Sequence, residues 1–103
     1  MDPIRSVFED DPDMREIVQE FVDDLKERTS EIEQALASRS YDQLRTLAHQ
    51  LKGAGGGYGF DAITDSAGQL EHALKESADD ATVDRLTRLL CETLGAVVFG
   101  EGR

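Results

Sequence analysis

In the run Leu47-Ala48-His49-Gln50-Leu51-Lys52-Gly53-Ala54-Gly55-Gly56-Gly57-Tyr58-Gly59-Phe60, a histidine, a lysine three residues on and a glycine four residues on share one helical face. Imidazole offers a ring-nitrogen lone pair near neutral pH, its ordinary pKa being about 6.5. Beside cations, the chemistry that fits is nucleophilic attack on a phosphoryl group, because positive charge disfavours imidazolium and attracts the anion. Arg45, one turn before His49, and Lys52, one turn after, supply that charge. Gly53 and Gly56 leave the surface just beyond the ring bare. Five glycines fall within seven residues here, and each costs a helix about 1 kcal/mol relative to alanine. A helix shaped for stability alone would not carry them, so something needs side chains to be absent beside that histidine.

The elements that must position this run are all helical. Asp2-Pro3 and Asp11-Pro12 each place a capping acceptor before a proline, the pattern of a helix start. The first pair predicts a short helix presenting Ile4, Val7 and Phe8. The second predicts a long one of roughly 25 residues, with Met14, Ile17, Val18, Phe21, Val22, Leu25, Ile32 and Leu36 at three- and four-residue steps. Ser38-Arg39-Ser40 breaks it. Ser40 to Gln43 has the spacing of a capping box and opens a second helix. The apolar stripe of that helix is Leu44, Leu47, Ala48 and Leu51, and His49 points roughly 150° away from it. Gly59 suits a left-handed helix end with apolar Phe60 beyond it. Gly55 to Gly57 leave open how far the helix runs.

Asp61 is expected to cap a third helix, with Ile63, Ala67, Leu70 and Leu74 inward. Asp79-Asp80 opens a fourth, with Val83, Leu86, Leu90, Leu94 and Val97 inward. No segment alternates with period two. The expected fold is all-α, an antiparallel up-down-up-down four-helix bundle with a short extra N-terminal helix, and residues 1–103 form one domain.

The net charge is −11 over 103 residues, from 11 basic and 22 acidic side chains. Nucleic acid and anionic membrane surfaces are therefore unsuited as partners. Twelve of the acids lie in the first 33 positions, whereas residues 39–60 carry three basic residues against one acid, a local +2. The one positive stretch surrounds His49. The single Cys91 has no internal disulfide partner and fits a small core filler. The longest apolar run is too short to span a bilayer and no leader pattern is present, so a cytoplasmic protein is expected.

His49-Gln50-Leu51-Lys52-Gly53, followed by glycines ending in Tyr58-Gly59-Phe60, resembles the H-x-L-K-G…G-[LF] signature of histidine-containing phosphotransfer (HPt) domains. The likeness extends over the long acidic first helix and a third helix ending Gln69-Leu70-Glu71. It implies a phosphorelay intermediate, a covalent carrier with no catalytic turnover of its own. His49 would take a phosphoryl group on Nε2 from a receiver-domain aspartate and pass it to another receiver. Lys52 would be the cation on the phosphate side. Gly53, with Gly56 and Arg45 around it, would mark the docking face, and Glu71 would hold Nδ1–H. The resemblance implies response-regulator receiver domains or a hybrid histidine kinase as partners of a monomer. It implies no cofactor on this chain, and Mg²⁺ on the receiver.

Other patterns carry less. Gly57 to Ala62 fits G-x-G-x-x-A, but a helical stripe precedes it where a dinucleotide site needs a strand. Lys52 precedes the glycines, unlike the lysine of a P-loop. Thr46 and Gln69, three residues before the two histidines, exclude the Glu-x-x-His pairs of a di-iron bundle. His72 reads as a solvated side chain. Two rivals are the phosphoryl-accepting domain of a chemotaxis-type histidine kinase and a non-phosphorylated helical adaptor; the adaptor would have no use for His49 and Lys52.

Overall fold

Four helices, α1 (Arg15–Ala37), α2 (Tyr41–Gly57), α3 (Asp61–Lys75) and α4 (Asp80–Gly95), make up the computed structural model, which describes residues 1–99. Among the described residues there is no strand, only an isolated bridge between Ile4 and Val97. Each helix packs on two others: α1 on α2 and α4, and α3 on α2 and α4. The core between them holds Val18, Phe21, Leu25 and Ile32 from α1, Leu44, Ala48 and Leu51 from α2, Ile63, Ala67 and Leu70 from α3, and Val83, Leu86, Leu90 and Leu94 from α4. The predicted stripes hold for most positions. Ile17 is 45% exposed, and Leu47 and Leu74 pack only against the edge of the core.

The N-terminal segment is not a helix. Ile4 N–H donates to Ala96 O at 2.9 Å, and Val98 N–H to Ile4 O at 2.9 Å. Val7 N–H donates to Gly59 O at 2.9 Å, and Ser6 Oγ to Tyr58 O at 2.7 Å. The last carbonyls of a helix lack intrahelical donors. The segment supplies donors to carbonyls at the ends of α2 and α4, and these bonds replace a one-turn helix that is costly to nucleate. Asp11-Pro12 likewise does not begin α1 directly. Asp11 Oδ1 accepts from Asp13 N–H at 2.9 Å, and Met14 N–H donates to Asp11 O at 3.1 Å. This turn postpones the helix to Arg15.

The capping box at Ser40 does not form, and neither does a side-chain cap from Asp61, whose place as N-cap is taken by Phe60. Asp79 does cap α4, its Oδ1 accepting from Thr82 N–H at 3.0 Å.

The glycines do not end α2 early; it runs through Gly57. Gly55 continues the buried stripe of Leu44, Ala48 and Leu51, and a Cβ there would lie 2.9 Å from Thr64 N and 3.0 Å from Ile63 Cβ. Bare backbone at Gly55 is what lets α3 approach so closely. Gly59, at φ +85°, turns the chain out of the helix, and Phe60 N–H closes the end on Gly55 O at 2.7 Å. Phe60 itself is fully buried. Tyr58 stacks on Phe21 of α1, ring centroids 4.7 Å apart, tying this end of α2 to the first helix.

Candidate functional site

Helix α2 presents His49 on its outer face, with the side chain 71% exposed. Helices α2 and α3 run in opposite directions, since His49 is level with Glu71 and Gly55 with Thr64. Thr64 Oγ1 donates to Lys52 O at 2.9 Å, fixing that register.

Across the seam, His49 Nδ1 lies 2.7 Å from Glu71 Oε2. Glu71 is 4% exposed and is the one buried ionisable side chain among the described residues. Lys52 Nζ is 3.4 Å from its Oε1, and Lys75 Nζ is 3.6 Å from its Oε2. Burial pushes the Glu71 carboxyl up. Hydrogen bonds from His49 and Lys52, with the nearby charge of Lys75, more than offset this and hold it below the ordinary 4.5. Glu71 is therefore a carboxylate at neutral pH and can only accept. Nδ1 must then be the protonated nitrogen, so the neutral ring carries its lone pair on Nε2. A largely exposed imidazole with a fixed tautomer is suited to act as a nucleophile.

The other expected residues fall into two groups. Lys52 belongs to the cluster, its aliphatic stem running along Gly68 of α3, where an added Cβ would meet Lys52 Cδ at 3.7 Å. Arg45 makes no ion pair among the described residues. It lines a shallow groove of about 520 Å³ together with Asp42, His49, Gln50, Glu71 and Lys75. Gly53 opens onto empty space, with nothing within 4 Å of an added Cβ. Gly56 is less bare than its spacing suggests, because a Cβ there would lie 3.4 Å from Thr64 Oγ1.

His72 is exposed and has no side-chain partner among the described residues. Cys91 is half-buried and burial pushes its thiol up to about 11, which leaves it an unreactive thiol at the core's edge. Among the described residues, no three His, Cys, Asp or Glu side chains gather as a metal would require, and no helix is long and apolar enough to cross a membrane. Nothing local in the sequence singles out Lys75. Its one signal is the Glu71–Lys75 spacing of four, which becomes informative only once Glu71 is known to be buried.

The family model of the Hpt domain matches residues 16–98, from the second residue of α1 to just beyond α4. The chain belongs to the Hpt domain family. Hpt domains are phosphoryl carriers in two-component signalling and interact there with receiver domains and kinases. No curated protein and no solved structure matches the chain significantly.

Proposed function

We propose that this Hpt domain is a phosphorelay intermediate that carries its phosphoryl group on His49 Nε2 between the aspartates of two receiver domains. The observation that carries the reading is the 2.7 Å contact of His49 Nδ1 with the buried Glu71 carboxylate on an otherwise exposed ring. The Nε2 lone pair forms the N–P bond as the acyl-phosphate O–P bond breaks, and the receiver leaves with a carboxylate. No proton moves in that step. The ring becomes a cation whose Nδ1–H stays on Glu71, so the hydrogen bond that orients the ring persists through the step.

Lys52 supplies positive charge on the phosphate side, while Mg²⁺ belongs to the receiver. Gly53 is the approach point for the receiver, flanked by Arg45 and Gly56. The three- and four-residue connections, and the opposite directions of α2 and α3, support an up-down-up-down order for the whole bundle. The acidic surface disfavours self-association and supports a monomer, working in the cytoplasm.

Incubation with a phosphorylated receiver tests the reading. The wild-type protein should acquire an acid-labile, base-stable label that His49→Gln abolishes and His72→Gln retains. Surface substitutions typically change stability by under about 0.5 kcal/mol, so His49→Gln should melt within a few degrees of wild type. Label that persists in His49→Gln rules the assignment out.

A further inference from the structure

Lys75 lies on the far side of Glu71 from Lys52, and it meets the same oxygen, Oε2, that accepts from His49 Nδ1. Pairs four apart on a helix are commonplace, and most exposed ones contribute little. The other acid–base pairs at this spacing, Arg5–Glu9 and Arg28–Asp24, use carboxylates that are 34% and 49% exposed. The Glu71 side chain is 5% exposed. Lys75 itself is 45% exposed, so only the carboxylate end of this pair is sheltered from solvent, whereas the other two pairs are open at both ends.

The buried carboxylate poses a difficulty for the proposed chemistry. An anion against an imidazole orients the ring, yet it also favours imidazolium, which has no lone pair to give. Glu71 must do the first without the second. From α2, His49 and Lys52 face Glu71, with Asp42 and Arg45 along the same groove; from α3, Lys75 faces it. No ion pair joins Glu71 to α4 among the described residues. Lys52 engages Oε1, which leaves Lys75, 3.6 Å away, as the cation nearest the oxygen turned toward the ring.

Resting on the reading of His49 as the phosphoryl acceptor, we propose that Lys75 is a positioning residue for it, neutralising Glu71 at the oxygen that faces the imidazole so that the carboxylate orients the ring without drawing a second proton onto it. Lys75 acts through Glu71 and touches neither the phosphoryl group nor the receiver.

Two readouts on wild type, Lys75→Met and Lys75→Arg test this. The first is a ¹⁵N NMR titration of the His49 ring in the isolated protein. Lys75→Met should move the uptake of the second proton upward by about half a pH unit, and Lys75→Arg should overlay wild type. The second is the single-turnover rate of phosphoryl acceptance from a phosphorylated receiver. Lys75→Met should be roughly threefold slower near pH 6 and equal to wild type near pH 8. If Lys75→Met and wild type titrate together, the proposal is overturned and Lys75 is an ordinary helix-surface partner. A rate lost equally at both pH values, with coincident titrations, also overturns it, because Lys75 would then touch the phosphoryl group or the receiver. If the titration shifts as expected but His49 never takes up label, the charge coupling stands and the phosphotransfer reading fails.

Discussion

Gly53 and Gly55 lie two residues apart on α2 and do opposite things. Gly55 faces inward, and a Cβ on it would run into the backbone of Thr64 at 2.9 Å. Gly53 faces outward, and a Cβ on it would meet nothing within 4 Å. The cluster that looks in sequence like one device is therefore two. Its inner strip, Gly55 with Gly59 beyond it, lets α3 and the N-terminal segment close onto α2. Its outer strip, running from His49 through Lys52 to Gly53, has no packing reason for its missing side chain. Gly57 is equally bare, but Gly53 lies one turn from His49 on the same face, and this is what supports the proposal that it is the receiver's approach point.

Substitutions on each strip can break that contrast. Gly55→Val should have the largest effect, a loss of about 2–3 kcal/mol from overpacking against α3. For a domain of this size that is a drop of ten degrees or more in melting temperature. A valine tolerated at full stability would mean that the close approach of α2 and α3 is not required. Lys52→Ala on the outer strip should leave the melting temperature near wild type and slow single-turnover phosphoryl transfer about tenfold, some 1.4 kcal/mol of barrier. An unchanged rate would reduce Lys52 to a solvated partner of Glu71.

Gly53→Gln sharpens the comparison, because it should keep or gain stability, by up to about 1 kcal/mol from helix propensity, while binding to a receiver weakens. Thermal melts and a receiver titration of the same sample check both signs. Unfolding on Gly53→Gln would place this glycine with the inner strip.

The smallest effect concerns Glu71, the buried partner of His49 and Lys52 on the outer strip. In the unfolded chain it binds its proton near 4.5, and in the folded protein only at lower pH. Between those values the unfolded state holds more protons, so this contribution to stability is complete above about pH 4.5 and is lost as pH falls through the folded value. Glu71→Gln removes that titration. Its denaturation midpoint should fall less steeply than that of wild type as pH is lowered from 5 toward 3. Transfer near neutral pH should change little, because the Gln amide oxygen can still accept from Nδ1–H. Parallel acid profiles would show that the cations do not hold Glu71 ionised.

Helical periodicity made the four elements and most of their buried faces legible, since burial along a helix follows a local repeat. Caps were less legible. Ser40 and the Asp-Pro pairs satisfy local rules, yet the N–H groups of Ile4 and Val7 find acceptors at the distant ends of α4 and α2. A non-local backbone partner outweighed a local capping pattern there. At the site, His49, Lys52 and Gly53 follow from spacing on one helix, and Glu71 followed from the family resemblance. The inward role of Gly55 and the place of Lys75 depend on how α3 lies against α2, which no single-helix pattern encodes.

The identity of the ring nitrogen that takes the phosphorus tests His49 as the carrier most directly. Phosphorylating the ¹⁵N-histidine-labelled protein with a receiver and reading the ring by ³¹P and ¹⁵N NMR should show a bond to Nε2 of His49, with Nδ1 still protonated and held by Glu71. Phosphorus on Nδ1, or on His72, would contradict it.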